Sequence, residues 1–63
     1  MKRYRFDMIG ADLAGEKEHP QIVIRRYAPD AFDWEPVSIA DCWLFSTRQP
    51  IDPLPSFIVE VVS

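Results

Sequence analysis

A lone cysteine, Cys42, decides much of what this chain can be. At 63 residues the chain lies near the lower limit at which apolar burial offsets conformational entropy without covalent help. One Cys and one His, His19, provide neither a disulfide framework nor a structural zinc site. Compensation has to come from a dense aromatic core or from self-association, so the chain is expected as a monomer or a homodimer. The eight aromatics (Tyr4, Phe6, Tyr27, Phe32, Trp34, Trp43, Phe45, Phe57) favour the core, since each buries on the order of 150–250 Å².

The periodicity of the chain divides it into segments. Lys2 to Ile9 alternates, with Tyr4, Phe6 and Met8 on one side and Arg3, Arg5 and Asp7 on the other, the pattern of a half-buried strand. The stretch from Gly10 to Pro20 has no sustained period and reads as a long exposed loop, anchored by Leu13. Gln21 to Ala28 is rich in β-branched residues and closes at Pro29, which predicts a second strand paired with the first. In PDAFDWEP the prolines at 29 and 36 disfavour a long helix. An extended Phe32 to Glu35 would point Phe32 and Trp34 one way and Asp33 and Glu35 the other; a single helical turn near Asp30 is the competing local reading.

Ser38 and Asp41 have capping-box spacing ahead of an apolar arc that includes Cys42, Trp43 and Leu44. They predict a short helix from about Ile39 to Thr47, with a strand as its rival because Ile, Trp, Phe and Thr favour strands. Pro50, Pro53 and Pro55 make an extended connector, and Phe57 to Val62 a last strand in the middle of the sheet or beneath the helix. The expected fold class is α+β: a single domain over residues 1–63, with a three-stranded, mainly antiparallel sheet and one short helix on a face, in the order β-β-α-β.

No nucleophile and base stand together, because His19 lies in the loop and Cys42 on the apolar arc. Glu16, Glu18 and His19 crowd one loop without a known ligand spacing, and no glycine-rich phosphate loop occurs. The expectation is a protein without catalytic residues, cofactor or metal. No run approaches the roughly 18 apolar residues of a membrane span, nor does a signal-peptide core follow Lys2, Arg3 and Arg5. With an unpaired cysteine, this places the chain in a reducing, cytoplasmic setting.

Charge distribution separates two binding surfaces. Residues 1–26 hold six Lys/Arg against four Asp/Glu, whereas residues 27–63 hold one Arg against six acids. The first surface is basic: Lys2, Arg3, Arg5, Arg25 and Arg26 with Tyr4, Phe6 and Tyr27, the ingredients of a nucleic-acid-binding hairpin. Alternation opposes that use, because Tyr4 and Phe6 face away from Arg3 and Arg5. The second surface is acidic and aromatic: Asp30, Phe32, Asp33, Trp34, Glu35 and Asp41. Carboxylates on an aromatic base suit a host protein with a basic surface.

In its size, acidic character and lack of a catalytic constellation, the chain resembles the small phage-encoded type I anti-CRISPR proteins, a family without a shared motif. The resemblance implies binding to a subunit of a type I surveillance complex inside the host bacterium, in place of DNA. A DNA mimic is often far more negative than the net charge of −3 found here, which leaves steric blockade as the equal alternative.

Overall fold

The computed structural model describes residues 1–62. Its elements are β1 (Lys2–Asp7), α1 (Met8–Leu13), α2 (Pro20–Tyr27), β2 (Phe32–Val37), a 3-10 turn (Ser38–Ala40), β3 (Cys42–Thr47) and β4 (Ile58–Glu60). The fold is α+β with an antiparallel sheet, but the sheet has four strands rather than three, in the order β2-β3-β1-β4. Because β1 and β2 both run antiparallel to β3, they are parallel to each other with β3 between them. The two helices form the crossover of this split β-α-β unit, and the proline-rich connector returns the chain to β4.

β1 forms as its alternation predicts, with Tyr4 and Phe6 buried and Arg3 and Arg5 on the opposite side. Asp7 ends it and caps α1, its carboxylate accepting the Ile9 N–H at 3.2 Å. The helix closes in a Schellman arrangement: the Gly15 N–H donates to the Asp12 carbonyl at 3.1 Å and the Glu16 N–H to the Ala11 carbonyl at 2.9 Å. Gly15 sits at φ 94°, where a side chain would be strained. The helix takes Met8 and Ile9 from the end of the expected strand and runs on into the expected loop, and Leu13 is exposed rather than anchoring it.

The expected strand over 21–28 is the helix α2. Pro20 occupies its first turn, where a missing N–H costs nothing, and the His19 imidazole Nδ1 accepts the Gln21 N–H at 3.1 Å. Val23, Ile24 and Tyr27 turn toward the sheet while Ile22 is exposed, a helical spacing rather than an alternating one. β2 follows the extended reading, with one change. Its register shifts between Phe32 and Glu35, which pair with Ser46 and Leu44, so three steps of β2 span two of β3. Asp33 takes up the extra residue at φ 59°.

The expected helix from Ile39 to Thr47 is a 3-10 turn followed by the strand β3, the rival reading. No capping side-chain bond forms at the turn; Asp41, left-handed at φ 49°, donates its N–H to the Ser38 carbonyl and reverses the chain. β3 then alternates, with Trp43, Phe45 and Thr47 facing the helices and Cys42, Leu44 and Ser46 facing away. β4 lies at an edge of the sheet rather than in its middle, and its Ile58 joins the helix-side core.

One cluster forms the core, on the helix side of the sheet: Tyr4, Phe6, Ala11, Val23, Ile24, Ala28, Phe45, Ile51, Phe57 and Ile58. Tyr4 stacks on Phe45 with ring centroids 5.6 Å apart, and Phe57 meets Phe6 and Tyr27 edge-on. The connector is tied into this core, since the Tyr4 hydroxyl accepts the Ile51 N–H at 3.0 Å. Among the described residues no helix is long and apolar enough to cross a membrane.

Candidate interaction surface

Both helices pack against one face of the sheet, so the other face is bare. Its side chains follow from register. One row crosses all four strands as Glu35, Leu44, Arg5 and Val59. The next runs Phe32, Ser46 and Arg3, with the Val61 N–H donating to the Arg3 carbonyl at 2.8 Å. At about 4.8 Å between strands, such a row is about 14 Å long.

Arg3 organises the β2 side of this face. Its Nη1 donates to the Asp33 carboxylate at 3.2 Å, to the Asp33 carbonyl at 2.8 Å and to the Ser46 hydroxyl at 2.9 Å, while Nη2 donates to Glu35 at 3.0 Å. One guanidinium thus serves two carboxylates, whose side chains remain 71% and 60% exposed. At the sheet's end the Arg48 guanidinium lies 5.2 Å from the Phe32 ring centroid. The Arg48 backbone N–H donates to Asp30 at 2.9 Å, and this bond is the foremost cause holding the Asp30 carboxyl below its ordinary pKa.

The six residues expected to form a partner-binding surface are therefore divided. Phe32, Asp33 and Glu35 share the bare face, with Asp30 at its margin. The bulge at Asp33 separates Phe32 from Trp34, which were expected to point the same way. Trp34 turns to the helix side, edge-on to Trp43, with the Arg25 guanidinium 5.3 Å from its ring centroid. Asp41 sits in the turn at the far end of the β2–β3 hairpin. Sequence reasoning left Arg3, Arg5, Leu44 and Val59 out of the surface, although the alternation of β1 already turned both arginines outward; Leu44 was hidden by the helix reading.

The basic set does not form a hairpin surface, because residues 20–27 are helical. Arg25 and Arg26 lie in α2 and Arg3 and Arg5 on the opposite side of the sheet, while Tyr4 and Phe6 are buried. Lys2 pairs with Glu60 at 3.1 Å, and Arg26 pairs with both Glu16 and Glu18. Tyr27 donates its hydroxyl to Glu16 at 3.1 Å, which raises the phenol's pKa.

Two shallow cavities stand out among the described residues. One, of about 260 Å³, lies between α1 and the start of α2 over Phe6, Met8 and Ala11, its rim charges Asp12 and Lys17 paired at 2.8 Å. The other, of about 250 Å³, opens beside Arg5 and is lined by Asp7, Ala40 and the buried Cys42. No cluster of His, Cys, Asp and Glu among the described residues is arranged to hold a metal ion. Compared with known proteins, the chain matches no family model, and no curated protein or solved structure is significantly similar to it.

Proposed function

We propose that this protein is a non-enzymatic binding module that docks through the bare face of its sheet onto a host protein and inhibits it by occupying a working surface. The observation that carries the reading is the division of the sheet: all four strands send one set of side chains toward the helices, and no helix covers the other set, in which only Ser46, beneath Arg3, and Cys42, beside Asp7 and Ala40, are buried. The face is about 14 Å across its four strands and about 20 Å along the six-residue strands, with the three-residue β4 shorter. That is at most about a third of the ~800 Å² each partner gives to a standard interface, so the rims must contribute. They offer Phe32 and Arg48 at one end and Ile39, 95% exposed, at the turn.

Following the resemblance to type I anti-CRISPR proteins, the partner we propose is a subunit of a type I CRISPR surveillance complex, and the outcome is loss of DNA binding. Asp33 and Glu35 meet basic groups of that subunit, helped by their exposure. Their shared Arg3 lowers the net charge of this margin, which favours steric blockade over imitation of DNA. The test mixes the protein with a purified type I effector complex and follows co-migration and target-DNA binding. The expected result is a stable complex with reduced DNA binding. Unchanged DNA binding without co-migration overturns the reading.

A further inference from the structure

Of the seven Lys and Arg side chains, six are engaged by the protein itself. Lys2, Arg3, Lys17 and Arg26 form ion pairs, and Arg25 and Arg48 lie over Trp34 and Phe32. Arg5 alone has neither an ion pair nor an aromatic ring beneath it among the described residues. Its place in the sheet makes that absence informative. Arg5 is exposed at the middle of the bare face, in register between half-buried Leu44 and exposed Val59, and it borders the 250 Å³ cavity. Asp7, two residues along the same strand, has its carboxylate engaged with the Ile9 N–H instead.

We infer that Arg5 is the anion-accepting centre of the docking surface, taking a carboxylate side chain of the partner while Leu44 and Val59 receive aliphatic groups on either side. This rests on the proposed protein-binding role of the bare face. A guanidinium covered by a partner without an anion would lose water and gain nothing, whereas a carboxylate meets it with two parallel charge-assisted bonds. The flanking chemistry selects the source of that anion. Leu44 and Val59 offer no ring on which a base could stack, and Glu35, Asp33 and Asp7 on the same face repel a run of phosphates. A protein carboxylate between aliphatic groups fits; a nucleic-acid strand does not. The partner surface is then bipolar, basic toward β2 and acidic toward β1.

The test uses the isotope-labelled protein and four probes followed by NMR: a blocked peptide of alternating leucine and glutamate, its glutamine and lysine analogues, and a single-stranded thymidine oligonucleotide. The glutamate peptide is expected to shift the signals of Arg5, Leu44 and Val59 and to bind about fivefold more tightly than the glutamine peptide. Arg5→Gln should erase that preference, Arg5→Lys restore part of it, and Lys17→Gln, in the loop after α1 where it pairs with Asp12, leave it intact. Equal binding of glutamate and glutamine peptides, no binding by any peptide at millimolar concentration, or stronger perturbation of Arg5 by the oligonucleotide would each overturn the inference. Co-migration with the effector complex separates the two readings. If Arg5→Gln leaves that co-migration unchanged, the inference fails while the docking reading stands; if no co-migration occurs yet the peptide preference holds, the docking partner is wrong and the carboxylate site remains.

Discussion

The two faces of the sheet are built by the same strands and have little else in common. Tyr4, Phe6, Trp43, Phe45 and Ile58 point to the helices and carry most of the aromatic volume; Arg3, Arg5, Leu44, Ser46, Glu35 and Val59 point the other way. A chain this short has enough helix to cover one face only, so it concentrates burial there. The bare face is thereby released from the work of holding the fold and can vary in chemistry at little cost to stability. The bulge at Asp33 sharpens the contrast, since it sends Trp34 to the aromatic side and leaves Phe32 and Glu35 together outside.

The widest separation is expected between neighbours in β3. Phe45 is 0% exposed, and Phe45→Ala should cost about 3–5 kcal/mol through lost burial and the cavity left behind. Against the 5–15 kcal/mol typical of a whole domain, that is enough to unfold much of the population. Leu44→Ala on the bare face should cost about 1 kcal/mol or less and leave the circular dichroism spectrum unchanged. Urea denaturation of the two variants decides it: equal losses would mean the bare face is part of the core after all.

A smaller loss tests how the connector joins the covered face. Tyr4→Phe keeps the ring but removes the oxygen that accepts the Ile51 N–H, leaving a buried donor unpaired. The expected cost is about 1–3 kcal/mol, with faster hydrogen exchange at the Ile51 amide. Unchanged exchange at Ile51 would show that the connector is held by side-chain packing alone.

What could be read from the sequence follows the same division. β1 was legible because one face is buried and the other wet, so alternation survives in the sequence. The segments 21–28 and 39–47 were exchanged, helix for strand and strand for helix, for a shared physical reason. Ile22, Val23 and Ile24 carry strand propensity, yet tertiary packing and a Pro20 start outweighed it. The signals that would have found α2 are Pro20 in the first turn, inward residues at 23, 24 and 27, and Arg25 and Arg26 in the last turn. Conversely, Ser38 and Asp41 have the spacing of a cap, but Asp41 turns left-handed and Trp43, Phe45 and Thr47 alternate inward. The acids of the surface were visible at once; the arginine that binds two of them was not, because 30 residues separate Arg3 from Asp33.

Arg3→Gln probes the bare face's own internal bond. It removes contacts to Asp33, Glu35 and Ser46 together, and should cost about 0.5–1.5 kcal/mol at low salt. In 1 M salt, where the screening length falls to about 3 Å, the difference from wild type should shrink. A salt-independent loss would assign Arg3 a packing role over Ser46 instead of an electrostatic one.

The smallest expected effects are the two ends of the pH profile, one from each side of the sheet. Asp30, at the margin of the bare face, has its carboxyl lowered foremost by the Arg48 N–H. Its contribution is present above the unfolded pKa of about 3.9 and is lost as pH falls through the lower folded value. Tyr27, packed on Phe57 at the covered face, has its phenol raised foremost by the bond to Glu16. Its contribution is present below about pH 10 and is lost as pH rises through the higher folded value. Denaturation midpoints across pH should therefore fall at both extremes. Asp30→Asn should flatten only the acid limb and Tyr27→Phe only the alkaline one. If either substitution changed both limbs, the two faces would be coupled through the sheet, and the separation of fold from surface would be weaker than the packing implies.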